Sequence, residues 1–257
     1  MHSSYHASFW IALLVGIASG SVGPFILLRR MALVGDALSH VALPGIALAL
    51  LYGVDPFYGV VVFLIAAAFL IFWLVGRSRI PPDAVVGLLF TASLAVGILI
   101  LPAGDVIDSL FGAFPVLSLT YLLVILLSAA VLAALCFLLA KRFLFLIVSP
   151  DLAKVHGLDR KYDLALLLIF SMIVALGIKL VGTLLMGALT IIPASIAKNV
   201  SRGLRQYVVV SAILGGAISV AGVWVAETFR FLPGPAIVLL GVALFLASLP
   251  FTRGNSG

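Results

Sequence analysis

Long apolar runs, broken at intervals by glycine, proline or charge, dominate this chain. Crossing about 30 Å of hydrocarbon takes ~20 mostly apolar residues. Nine stretches come near that length: 8–28, 31–52, 56–76, 83–101, 118–140, 162–178, 182–197, 207–226 and 233–250. The breaks carry turn chemistry, as in Gly53-Val54-Asp55-Pro56 and Pro81-Pro82-Asp83. The sixth and seventh stretches are short and meet near Lys179 and Gly182, so they are either two crossings or one discontinuous element. Segment 102–117 is too short and too broken to span, and reads as a short interfacial or re-entrant helix around 106–113. The pattern predicts an all-α, polytopic membrane protein of about nine transmembrane helices. A single domain fills residues 1–257, with a short disordered tail at 252–257.

Composition narrows the class. Apolar residues make up 64% of the 257, and 15 Lys and Arg against 9 Asp and Glu leave a net charge of +6. So few charges cannot cover the surface of a soluble protein of this size. A soluble enzyme, a disordered chain and a nucleic-acid binder are thereby excluded. The start, Met1-His2-Ser3-Ser4-Tyr5-His6, lacks the positive region of a cleaved signal, so the apolar segment after it reads as the first span. With the first connection placed inside, thirteen of the fifteen cations fall in inside segments. Only Lys179 and Arg230 fall outside. Cytoplasmic loops retain Lys and Arg, so the split puts the N-terminus outside and the C-terminus inside. It also favours two crossings over 162–197, because one crossing would put Lys198, Arg202 and Arg205 outside. The lone cysteine, Cys136, excludes a disulfide framework and a cysteine metal cluster; it reads as a small hydrophobe facing lipid or a neighbouring helix.

Ionisable residues inside a span are costly and point to function. In Gly35-Asp36-Ala37-Leu38-Ser39-His40, Asp36 and His40 stand four apart, on one helix face, with Ser39 nearby. A helix starting near Met31 would carry Asp36 ~8 Å and His40 ~14 Å into the membrane. Carboxylate and imidazole suit a divalent first-row metal; the same pair could instead form a hydrogen bond holding one helix to another. Glu227, the sole glutamate, lies at the outer end of the eighth span, where it either belongs to an outer gate or pairs with Arg230. Thr183, Thr190 and Ser195 could line a path, though intramembrane hydroxyls more often bond nearby backbone. Gly182, Gly187 and Ala188 allow close helix approach, Pro193 frees a backbone carbonyl, and Gly16-Ile17-Ala18-Ser19-Gly20 matches a helix-contact pattern.

Segment 149–157 carries strong helix punctuation. Ser149 can cap, Pro150 suits the first helical position, Asp151 complements the N-terminal dipole, and Gly157 fits the helix end. A two-turn cytoplasmic helix with Leu152 and Val155 exposed is either a docking element or an ordinary structured loop. His156 reads as a surface residue. The chain has no G-x-x-x-x-G-K-[ST], so it does not bind ATP through a P-loop.

From Leu27-Leu28-Arg29-Arg30-Met31 through Gly35-Asp36-Ala37-Leu38-Ser39-His40, the chain resembles the membrane permease of bacterial zinc/manganese/iron ABC importers. Ser149-Pro150-Asp151-Leu152-Ala153 with His156-Gly157, Lys179-Leu180-Val181-Gly182 through Ile192-Pro193-Ala194, and Leu232-Pro233-Gly234-Pro235-Ala236 continue the likeness in order. It covers roughly residues 8–250. The resemblance implies a permease fold similar to cobalamin and siderophore importers, working as a homodimer. It implies a cytoplasmic ATPase dimer and an extracytoplasmic metal-binding protein as partners. No cofactor is held permanently; Zn2+, Mn2+ or ferrous iron is cargo. Asp36 and His40, joined by Ser39 or Glu227, become a transit site, and Ser149, Pro150, Asp151, Leu152, Val155 and Gly157 the ATPase coupling segment. The other classes to weigh are a chelate importer of the cobalamin type and a self-contained secondary transporter or channel.

Overall fold

A computed structural model describes residues 2–78, 80–100, 119–149, 152–153, 161–183 and 185–251. Among these residues every regular element is helical. The helices are α1 (His2–Leu28), α2 (Leu33–Leu51), α3 (Pro56–Arg77), α4 (Pro82–Ile100), α5 (Leu119–Val148), α6 (Lys161–Val181), α7 (Met186–Val200), α8 (Leu204–Phe229) and α9 (Pro233–Ser248), followed by a 3-10 turn at Leu249–Phe251. Seven of them are long and apolar enough to cross a membrane, and α9 is a shorter apolar helix. The expected helix around 106–113 lies outside the described residues.

α1 is the hub. It packs on α8, α5, α7 and α6. Its contact with α8 is close because both sides lack side chains: a β-carbon on Gly16 would strike the Gly215 carbonyl, and one on Gly20 the Ser211 carbonyl. Without a hydrophobic force between helices in lipid, such close van der Waals contact is what joins them. Two interhelical bonds add to it. Ser211 Oγ donates to the Gly20 carbonyl at 2.6 Å, and Cys136 Sγ of α5 to the Ser21 carbonyl at 3.4 Å. Cys136 is thus a helix-contact residue and not lipid-facing. α1 and α2 are mostly buried, while α4 and α5 expose most of their apolar surface. Leu88, Leu99, Leu127 and Leu138 are among the exposed side chains. Such faces are stable only where the solvent is itself apolar.

The described cations gather on one face. Arg29, after α1, forms an ion pair with Asp163 of α6. Arg142 lies 5.5 Å from the Tyr162 ring centroid. Arg30 and Lys198 wall one cavity of about 490 Å3, and Arg77 follows Gly76, which shares another cavity with Arg29. Arg230, at the far end of α8, and Lys179, near the end of α6 remote from Lys161, are exceptions. Both Arg30 and Arg230 take a left-handed conformation, φ 57°, at a helix end where glycine is usual.

Three expected boundaries shift. α5 does not stop at residue 140 but runs on to Val148, because Phe143 packs edge-on against Phe25 at 5.4 Å and Arg142 finds Tyr162. α2 begins at Leu33 and not Met31, because the chain first turns through Arg30, with Met31 N–H bonding the Ile26 carbonyl at 3.1 Å. Stretch 162–197 is two helices, α6 and α7, that meet after Val181. Gly182 turns there with φ 85°, and Val181, Thr183 and Met186 are fully buried. Non-helical backbone next to a span is tolerated where protein surrounds it. With fifteen residues, α7 is ~22 Å long, short of a full crossing.

Candidate metal transit site

Asp36, Ser39 and His40 occupy the first two turns of α2. The later helix start places Asp36 only ~4.5 Å and His40 ~10 Å from the first residue of α2, shallower than the sequence predicted. A carboxylate in the first turn meets the positive end of the helix dipole. Ala32 supplies no side-chain cap there.

The His40 ring is 4% exposed. Its Nδ1 lies 2.8 Å from the backbone carbonyl of Asp36. A carbonyl only accepts, so Nδ1 carries the hydrogen, and in the neutral ring Nε2 keeps a lone pair. This is the arrangement that prepares a histidine to bind metal. The ring also meets Phe90 of α4 edge-on, with centroids 4.6 Å apart. Ser39 Oγ donates to the Gly35 carbonyl at 2.7 Å. No hydrogen bond or ion pair from a described residue holds the Asp36 carboxylate. It lies against the Cα of Gly187, where a β-carbon would overlap it. The bond that the pair makes is therefore within one helix and does not use the His40 Nε2 or the Asp36 carboxylate.

Among the described residues, no group of three or more His, Cys, Asp or Glu side chains comes together. Glu227 is near the end of α8 remote from Leu204, and so at the face opposite the Arg29–Asp163 pair; the structure does not bring it to Asp36. Two of the three candidate path hydroxyls bond local backbone: Thr190 to the Met186 carbonyl at 3.3 Å and Ser195 to that of Ile191 at 2.9 Å. Thr183 is fully buried in the α6–α7 joint.

In the segment expected to couple to an ATPase, Ser149 N–H bonds the Phe145 carbonyl and Ala153 N–H the Ser149 carbonyl, both with helical spacing. Leu152 is 55% exposed while Ala153 is fully buried. Pro150, Asp151, Val155 and Gly157 lie outside the described residues. The sequence reading missed Phe90, one of 17 phenylalanines with nothing to mark it, and saw Gly187 only as a close-approach residue without its partner.

Comparison with known proteins adds to this geometry. A model described as the ABC 3 transport family matches residues 1–252. The manganese import system permease protein ScaB of Streptococcus gordonii is 32% identical over 243 residues, covering 92% of this chain and 87% of that protein. The high-affinity zinc uptake system membrane protein ZnuB of Haemophilus influenzae is 29% identical, covering 93% of this chain and 95% of that one. In the solved structure of PsaBC from Streptococcus pneumoniae in complex with Fab, one chain superposes with a TM-score of 0.83 at 32% identity, covering 95% of this chain and 90% of that chain.

Proposed function

Since this chain belongs to the ABC 3 transport family, we propose that it is the membrane permease of an importer carrying a divalent transition-metal ion, manganese or zinc, into the cytoplasm. Separate ATPase subunits supply the energy. Relatives named for manganese and for zinc support the cargo class. The observation that carries the reading is the Asp36–His40 pair on one face of a buried helix, with His40 Nδ1 turned to the Asp36 carbonyl and the carboxylate held by no hydrogen bond among the described residues. Two protein ligands are few, and that suits transit: binding must be good enough to enter and weak enough to leave. Water and the remaining Ser39 lone pairs complete the coordination. Irving–Williams order favours zinc over manganese at an N/O site, so selectivity for manganese would lie in the extracytoplasmic protein that delivers the ion.

The cation-rich face is the cytoplasmic one by the positive-inside rule, which puts the N-terminus outside and the C-terminus inside. On that face the segment 149–157, with Leu152 projecting, docks into the ATPase dimer. A second permease copy completes the membrane pore. Uptake of labelled manganese and zinc by cells producing the complete importer tests the core of the reading. Asp36→Asn keeps size but removes charge, and it should cut uptake at least tenfold with expression and basal ATPase activity unchanged. His40→Ala should do the same. Normal uptake by Asp36→Asn would make the pair structural.

A further inference from the structure

We infer that Gly187 is a positioning residue for the Asp36 carboxylate, so that the short helix α7 sets the geometry of the transit site. The inference rests on the metal reading of Asp36 and His40. Gly187 is the second residue of α7. Its missing side chain leaves a space that Asp36 Oδ1 occupies, and the Asp36 backbone nitrogen borders the same space at 3.0 Å. On the other side of this crossing, a β-carbon on Gly35 would come within 3.1 Å of the Gly187 Cα. The first turns of α2 and α7 therefore touch through two glycines. Among the described residues no hydrogen bond holds the carboxylate, and the shape of this contact determines its direction. His40 is fixed independently, by the Asp36 carbonyl and Phe90. One ligand is thus set within α2 and α4, and the other by α7.

An alanine at 187 strikes mainly the end of a rotatable side chain. The fold can absorb that by turning the carboxylate; the metal site cannot. Two measurements separate these effects. The first is the external manganese concentration for half-maximal uptake by cells producing the complete importer. Gly187→Ala should raise it about tenfold or more, with surface expression preserved. The second is the melting temperature of purified permease without metal, in a cycle of Gly187→Ala and Asp36→Ala. The alanine at 187 should lower the melting temperature when Asp36 is present, and lower it much less once Asp36→Ala has vacated the space and only the backbone nitrogen contact remains. If only the double variant folds, the contact is established as well. An unchanged half-saturation concentration for Gly187→Ala, the same melting cost in both backgrounds, or failure of both variants to fold would overturn the inference. Normal metal uptake by Asp36→Ala would instead overturn the transit-site reading, and the melting cycle would still report on the contact.

Discussion

Two of the helix crossings that glycine builds in this protein use it for opposite ends. Where α1 meets α8, the space left by Gly16 and Gly20 is filled by the backbone of the other helix. Where α2 meets α7, the space left by Gly187 is filled by a carboxylate. The first contact has no freedom: backbone lies on backbone, and the nearby hydroxyl of Ser211 is bonded to the Gly20 carbonyl. The second holds a carboxylate that makes no hydrogen bond among the described residues. A small-residue pattern in a span therefore says that helices come close. Whether the closeness serves stability or chemistry depends on what fills the space.

The largest effect that separates the crossings is on stability. Gly20→Leu must push its side chain into the Ser211 backbone, where nothing can rotate away. Overpacking of this kind costs ~3 kcal/mol or more. It should abolish recovery of folded permease from the membrane, whereas Gly187→Ala should leave recovery close to normal. Comparable recovery of both variants, by fluorescence-detected size exclusion, would erase the distinction between the crossings.

A second test asks whether function elsewhere is also carried by groups the fold does not need. Leu152 is exposed at the cation-rich face. Leu152→Asp should leave the melting temperature of the isolated permease unchanged. If the segment docks into an apolar groove on the ATPase, as proposed, an unpaired charge there costs several kcal/mol. Metal-stimulated ATP hydrolysis by the assembled importer should then fall to its basal level. Full transport by this variant would remove Leu152 from coupling.

The sequence made the spans legible because a membrane demands ~20 apolar residues whatever the fold. Their ends were less so. Lys141 and Arg142 look like a helix terminus, yet α5 continues because Phe143 and Arg142 find partners on α1 and α6. Met31 is apolar and looks like part of α2, but it belongs to the turn that closes α1. That turn explains the error in depth for Asp36 and His40. The pair itself was visible from spacing alone, since i and i+4 share a face in any helix. Phe90 and Gly187 were not, because what they touch comes from other helices, and no local pattern carries that. The burial of Val181 and Thr183 around Gly182 had the same obscurity: Gly182 marked a break, but only packing decides whether a break lies in water or in protein.

The smallest effect concerns the bonds within the α1–α8 seam, and Pro24 makes it specific. α1 is continuous through Pro24. A proline has no N–H, so the carbonyl four residues earlier, that of Gly20, loses its helical donor. Ser211 Oγ of α8 supplies the missing bond at 2.6 Å. Ser219, two turns along α8, is equally buried but donates to Gly215 of its own helix at 2.8 Å, and residue 219 supplies its own N–H to that carbonyl in any case. Ser211→Ala therefore strands a buried acceptor, which costs about 1–3 kcal/mol. Ser219→Ala strands none and should stay within ~0.5 kcal/mol. An average interhelical bond in a membrane protein contributes only ~0.6 kcal/mol, because the separated helices find other partners; the Gly20 carbonyl has no such partner in its own helix. Restoring the donor gives the decisive comparison. In a Pro24→Ala background the alanine N–H can close the helical bond, and Ser211→Ala should then lower the melting temperature much less than it does alone. Equal losses with and without Pro24 would mean that Ser211 acts through packing and not through the carbonyl that the proline leaves open.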